Sequence, residues 1–189
     1  MKIVSLFGSP RPTGNSTTLA KHFLKTAENL GAESTTFALN QLNYRGCQGC
    51  YACKTKLEKC VLNDDLTGVL EAVSQADVVV LSTGTFYGEI TSQLKAFIDR
   101  TFSYLKPDYM TNLQPMRIAP GKKLVFIITQ GGPENRFADV FPRYDQFFKW
   151  YGFTESYLIR ACGTTPKVPA ELPERVLLQA EETARKIMS

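Results

Sequence analysis

A chain of 189 residues can bury one sizeable hydrophobic core and is short for two, so a single domain spanning 1–189 is the expectation. With 43% hydrophobic and 21% charged residues it has the composition of a soluble globular protein, and no apolar run approaches the roughly eighteen residues a membrane helix needs. The formal net charge is +4, but lysines and arginines are scattered, which argues against a nucleic-acid face and leaves a mild attraction for anionic ligands.

The chain enters a strand at once, Ile3-Val4-Ser5-Leu6-Phe7, with no charged-then-apolar leader, so the expected address is cytoplasmic. The strand stops at Gly8-Ser9-Pro10-Arg11-Pro12-Thr13-Gly14-Asn15-Ser16-Thr17-Thr18, and helical spacing follows at Leu19, Phe23, Leu24 and Leu30. A second strand is predicted over 34–39, and then a long connection, 40–63, carries a cysteine-rich stretch from 45 to 63. Asp64 or Asp65 is placed to cap a helix with apolar positions Leu66, Val69, Leu70 and Val73. Residues 76–82 read as a strand buried on both faces, ending in the loop Thr83-Gly84-Thr85-Phe86-Tyr87-Gly88. The next helix places Ile90, Leu94, Phe97, Ile98, Thr101, Phe102 and Leu105 on one face, with Lys95, Asp99 and Arg100 off it or at its edge.

Residues 106–122 contain Pro107, Pro115 and Pro120 and no periodicity, the mark of a functional or interfacial loop. A fourth strand over 123–129 leads to the loop Gln130-Gly131-Gly132-Pro133. An aromatic stripe of Phe137, Phe141, Tyr144, Phe147, Phe148 and Tyr151 marks a helix that Pro142 starts or kinks, with core or subunit contact as its simplest role. A fifth strand over 154–160 and a final helix over 171–188 complete the pattern.

Strands alternating with helices imply a parallel sheet covered on both faces, an α/β/α sandwich of five strands in the order 2-1-3-4-5. In that order the loops after strands one, three and four converge at the switch point, where a mononucleotide would sit. The first loop offers backbone N–H groups and hydroxyls at a helix N-terminus, which suits a phosphate. It is not a Walker loop, because Asn15 stands where the lysine belongs, nor a Gly-x-Gly-x-x-Gly fingerprint, nor a phosphatase loop, which would need a cysteine. A receiver domain would need acidic residues after strand one and a phosphorylatable aspartate after strand three, and Ser9 and Thr83 to Thr85 stand there.

Gly-Ser-Pro-Arg-x-x-Gly-Asn-Ser over 8–16 resembles the phosphate loop of the flavodoxin-like NADPH-dependent FMN reductases. Thr85-Phe86-Tyr87-Gly88, followed by Ile90, Gln93, Leu94, Lys95, Ala96, Phe97, Asp99 and Arg100, is similar to that family's second signature, with Gly84 where the family usually has proline. The resemblance implies non-covalent FMN, NAD(P)H as electron donor, and a quinone, flavin or redox protein as acceptor. On it, Ser9, Arg11, Thr13, Asn15, Ser16 and Thr17 meet the phosphate. Thr83, Thr85, Phe86, Tyr87, Gly88, Glu89, Gln130, Gly131 and Gly132 frame the ring. The flavin carries the chemistry, so no catalytic side chain is implied; dimers or tetramers are. For Asp99 and Arg100 a solvated helix pair or a subunit salt bridge is the plainer role.

Cys47-x-x-Cys50-x-x-Cys53, followed by Cys60 after a spacer of six residues, brings four thiols into one loop. Such spacing resembles the compact motif of the iron-sulfur flavoproteins, a branch of the same family, where it holds a [4Fe-4S] cluster. Free thiols, disulfides or zinc are the alternatives for the residues taken alone. Arg45, Lys54, Lys56 and Lys59 would offset a cluster's charge. Cys162 reads as a small buried apolar residue, and His22 lacks a sequence-near partner for general-base work.

Overall fold

A computed structural model of the chain describes residues 1–167 and 170–189. Its sheet runs β2-β1-β3-β4-β5, all neighbours parallel, built from β1 (Lys2–Phe7), β2 (Glu33–Ala38), β3 (Val78–Gly84), β4 (Lys122–Thr129) and β5 (Phe153–Ala161). The helices are α1 (Asn15–Asn29), the single turn α2 (Ala52–Thr55), α3 (Leu66–Gln75), α4 (Ser92–Arg100), α5 (Val140–Trp150) and α6 (Glu174–Met188). The predicted architecture and strand order are the ones observed.

The period-two alternation of a strand explains the layering. Val78 and Val80 of β3 point to one face, where they meet Leu19, Phe23 and Leu24 of α1 and Val176, Ala180 and Ile187 of α6. Val79 and Leu81 point to the other, against Leu66, Val69 and Val73 of α3, Leu94 and Phe97 of α4, and Tyr144 and Phe148 of α5. Because β3 is covered on both sides, every residue from Val78 to Thr83 is buried, and its run of valines is what a central parallel strand requires. Each large side chain so buried contributes about 1.5–3 kcal/mol.

Several boundaries differ from the sequence expectation, each for a local reason. Leu39 leaves the second strand for a short 3-10 turn, Leu39–Gln41. Ile90 precedes α4, and a 3-10 turn, Thr101–Tyr104, follows it. The final helix starts at Glu174 because Pro173 occupies its N-cap. Pro142 lies in the first turn of α5, where a missing N–H costs nothing, so it does not kink the helix. Arg100, expected at the solvent edge, is instead among the largest fully buried side chains. No helix among the described residues is long and apolar enough to cross a membrane.

Candidate functional site

The loop after β1 is drawn tightly against its neighbours. The Gly8 N–H donates to the Ser82 carbonyl at 2.8 Å, and a Cβ at Gly8 would lie 2.7 Å from Thr91 Oγ1 and 2.9 Å from Leu94 Cβ. Beyond it the chain curls around the Arg11 backbone. Ser9 Oγ accepts the Arg11 N–H at 3.1 Å, while the Gly14 N–H and Thr17 Oγ1 donate to the Arg11 carbonyl at 3.1 and 3.3 Å. The side chains of Arg11 and Thr13 remain exposed, whereas Asn15, Ser16 and Thr17 are buried at the start of α1.

No side chain caps that helix, and among the described residues the N–H groups of Asn15, Ser16 and Thr17 have no acceptor. These first-turn donors, with the positive end of the helix dipole, form an anion cradle. Asn15 Nδ2 donates to the Thr165 carbonyl at 2.9 Å, but its Oδ1 is buried without a partner, and so is Thr85 Oγ1 in the loop after β3. An unpaired buried polar atom costs about 1–3 kcal/mol, so both fit a ligand that brings hydroxyls and a phosphate. Their chemistry suits the ribityl phosphate of FMN.

In the loop after β3, Phe86 and Glu89 exchange backbone N–H···O bonds of 2.8 and 3.0 Å across Tyr87 and Gly88. Those two carry φ values of 49° and 82°, the geometry of a type I′ turn, and it displays Tyr87 wholly in solvent with Phe86 about half exposed. Glu89 faces inward: its Oε1 accepts the Ile90 N–H at 2.8 Å and the Tyr144 hydroxyl at 2.9 Å, and its Oε2 pairs with Arg143 at 3.1 Å. Thr83, fully buried, accepts the Thr91 N–H at 3.0 Å and donates to the Gly84 carbonyl at 2.8 Å.

The loop after β4 is likewise organised by a residue expected to touch a ligand. Gln130 is buried; its Nε2 donates to the carbonyls of Pro133 at 2.6 Å and Arg136 at 3.0 Å, and its Oε1 accepts from Arg160 Nη2 at 2.7 Å. The side chains of Thr83, Glu89 and Gln130 are therefore spent on shaping the turns, whereas Phe86 and Tyr87 are exposed and Thr85 Oγ1 is unpaired among the described residues. The three loops leave the carboxyl ends of the adjacent strands β1, β3 and β4, at the point where the chain changes direction across the sheet.

The cysteine loop lies elsewhere, against α4 and α5. Cys47 and Cys50 are exposed, Cys53 and Cys60 half-buried, and all are free thiols. All four line one cavity of about 530 Å³, with Phe102, Tyr144, Phe147 and Phe148 among its other walls. They are not drawn to metal-ligating spacing: among the described residues no group of three or more Cys, His, Asp or Glu side chains is so gathered. The donor set fits a thiolate-held group in kind. Of the four nearby cations expected, Lys54 is built in: Nζ donates to the carbonyls of Phe102 at 2.5 Å and Leu105 at 2.8 Å, lies 3.6 Å from Cys53 Sγ and sits over the Phe102 ring. Burial lowers the pKa of this ammonium, and Cys53 acts in the opposite sense.

Sequence reasoning missed Arg117, which donates to the Cys53 carbonyl at 3.1 Å from the far end of the proline-containing loop. It also missed a partner for His22, which meets Glu181 of α6 at 3.0 Å. Cys162 is half-buried instead of core. Both pairings join positions far apart in the chain, for which a single sequence carries no signal.

A parallel sheet in this order, with a donor-rich turn on β1 and two framing turns across the switch point, defines a flavodoxin-like mononucleotide-binding protein. The chain belongs to the NADPH-dependent FMN reductase family, whose profile matches residues 1–141. It is 34% identical over 101 residues to an iron-sulfur flavoprotein of Methanocaldococcus jannaschii, covering 53% of this chain and 52% of that protein. An iron-sulfur flavoprotein of Archaeoglobus fulgidus is 36% identical over 104 residues, 55% of this chain and 47% of its own. The chain thus spans about half the length of these curated relatives. In fold it is similar to an FMN-dependent NADH-azoreductase from Bacillus anthracis solved with FMN, at a TM-score of 0.75 and 18% identity over 100% of both chains.

Proposed function

We propose that the chain is an FMN-dependent oxidoreductase of the NAD(P)H:FMN or quinone reductase type, working in the cytoplasm as a single FMN-binding domain across 1–189. The observation that carries this reading is the start of α1, where three unspent N–H groups adjoin a buried, unpartnered Asn15 Oδ1. Ser9, Arg11, Thr13, Asn15, Ser16 and Thr17 hold the phosphate end. Thr85, Phe86, Tyr87, Gly88, Gly131 and Gly132 face the ring, while Thr83, Glu89 and Gln130 fix the backbone of the turns that frame it. When bound, the isoalloxazine supplies the two-electron chemistry between a nicotinamide donor and a small acceptor. The protein's own part is to bind, orient and exclude water.

Titration of the purified chain with FMN, followed by NADPH oxidation in the presence of a quinone, tests this directly. A yellow protein that turns over is expected; a colourless one that takes up no FMN sinks the reading.

Cys47, Cys50, Cys53 and Cys60 hold a [4Fe-4S] cluster in this reading, supported by their shared cavity and by the names of the relatives. Iron and acid-labile sulfide on anaerobically purified chain decide it, and less than one iron per chain counts against it. The same loop favours a second reading, an electron carrier between redox proteins, which a reducible flavin without NADPH–quinone turnover would support. A homodimer or homotetramer accompanies either reading: Met110 and Leu113, 78% and 100% exposed in the proline-containing loop, are apolar surface for a subunit contact.

A further inference from the structure

Arg100 ends α4 on the buried side, where its sequence pattern did not place it. Its side chain is 0% exposed and its planar fork is used in several directions. Nη1 donates to both carboxylate oxygens of Asp64, at 3.0 and 2.8 Å, and to the Arg45 carbonyl at 3.0 Å; Nη2 donates to the Leu62 carbonyl at 3.2 Å. Asp64 completes the closure by accepting the N–H of Arg45 at 3.2 Å and of Leu66 at 3.1 Å.

Arg45 and Leu62 are the two ends of the segment that carries Cys47, Cys50, Cys53 and Cys60. One guanidinium therefore shuts the loop at its base, while Lys54 and Arg117 hold its middle against Phe102, Ser103 and Leu105. Arg100, Lys54 and Arg117 are bonded to this loop's backbone or to the carbonyls beside it; Asp64 is paired with Arg100, while Glu58 within the loop and Asp99 on the cavity wall are the other carboxylates near it. Arg100 also lines the cavity shared by the four cysteines, and its Nε is buried with no partner among the described residues. A wall so charged, with an N–H in reserve, suits an anion.

We propose that Arg100 is the positioning residue of the cysteine loop, closing its two ends and setting the four thiols in place for an anionic, thiolate-held group. The proposal rests on the reading that the loop holds such a group. A lysine at this position keeps the charge but cannot reach the two chain ends and the carboxylate together.

The test uses the full, FMN-loaded chain as wild type, Arg100→Lys and Asp64→Asn. In iron-free protein, N-ethylmaleimide labelling of each cysteine is followed by mass spectrometry. Losing charge-assisted bonds at the base opens the loop about tenfold more often, so Cys53 and Cys60 label about tenfold faster in Arg100→Lys while Cys162, outside the loop, does not change. After anaerobic loading with iron and sulfide, the variant holds less iron and the electron paramagnetic resonance signal of what remains is displaced from wild type.

Wild-type labelling rates, equal acceleration of Cys162, or an unchanged signal in the loaded fraction each overturn the proposal. If wild type itself takes up no iron, the cluster reading falls and the labelling arm alone decides on Arg100. Should Arg100→Lys fail to fold, Asp64→Asn gives the same readouts, because it removes the counter-charge and keeps one acceptor oxygen.

Discussion

Tyr144 of α5 donates its hydroxyl to Glu89 Oε1 at 2.9 Å, joining the aromatic helix to the turn that follows β3. The same carboxylate holds Arg143 of that helix. Two contacts from α5 thus fix the residue that closes the Phe86–Glu89 turn, and the turn's shape is set from outside its own sequence.

Burial, reinforced by Glu89, raises the Tyr144 phenol well above its ordinary value, so it is a neutral donor throughout the physiological range. Because the folded value is the higher one, the stabilisation is intact below about pH 10 and drains away as pH climbs toward the folded value. Tyr144→Phe is expected to lose about 1.5 kcal/mol at neutral pH, the scale of a bond to a charged acceptor. Above about pH 10 its stability should fall less steeply than wild type's, by one proton's worth. Urea unfolding on both sides of that pH measures both effects, and parallel slopes would refute the assignment.

Gly8→Ala tests the approach of β1 to α4. The added methyl meets Thr91 Oγ1, Leu94 Cβ and the Ser82 carbonyl at 2.7, 2.9 and 3.0 Å, and none of these is a flexible tip. The expected cost is about 1–3 kcal/mol, as for other overpacked sites, with weaker FMN retention because the phosphate turn is pushed off the sheet. A wild-type melting temperature with full flavin content would show that the contact relaxes freely.

Much of the fold was legible because it rests on local pattern. The unbroken apolar run of β3 and the apolar spacing of α1 and α4 each announce one element, and their alternation along the chain leaves little choice of architecture. At the candidate site, residue type at a loop predicted a donor-rich helix start, and Asn15, Ser16 and Thr17 are indeed buried at an uncapped N-terminus. The internal partners of Gln130 and Thr83 were not legible, because a polar side chain beside glycines looks available until Arg160 and Thr91 are brought in by other elements. Arg100 was misread because helical periodicity counts a charge as solvent-facing, and its counter-ion lies 36 residues away.

The Asp64 carboxylate predicts an acid-sensitive step. Burial alone would raise its pKa, but the Arg100 fork, the Arg45 N–H, the Arg100 charge and the Leu66 N–H together hold it below the ordinary carboxylate range. Its stabilisation is therefore complete above about pH 4 and lost as pH falls through the lower folded value. Asp64→Ala, which strands a buried guanidinium, should cost about 3–5 kcal/mol at neutral pH. In Asp64→Asn the stability lost between about pH 5 and pH 2 should shrink relative to wild type. Equal acid midpoints for the two proteins would mean that the pair carries no linkage.

The phosphate cradle makes the sharpest demand on ligand chemistry. If the N–H groups of Asn15, Ser16 and Thr17 grip a dianionic phosphate at a helix N-terminus, riboflavin, which has the same ring and ribityl chain but no phosphate, must bind far more weakly than FMN. Charge-assisted bonds of about 1.5–3 kcal/mol each, two or three in number, correspond to a difference of at least about a hundredfold. Asn15→Ala removes the link to the Thr165 carbonyl and the unpartnered Oδ1, leaving the backbone donors in place. It should weaken FMN and riboflavin by a similar factor, if Oδ1 serves a hydroxyl, and so preserve the ratio between them. Fluorescence titration of both flavins against both proteins gives the four constants. A wild-type chain that binds riboflavin as tightly as FMN would remove the phosphate from the argument, and an Asn15→Ala effect confined to FMN would show that Oδ1, an acceptor with nothing to take from a dianion, serves no ligand hydroxyl and that Asn15 acts by holding the turn of the phosphate cradle.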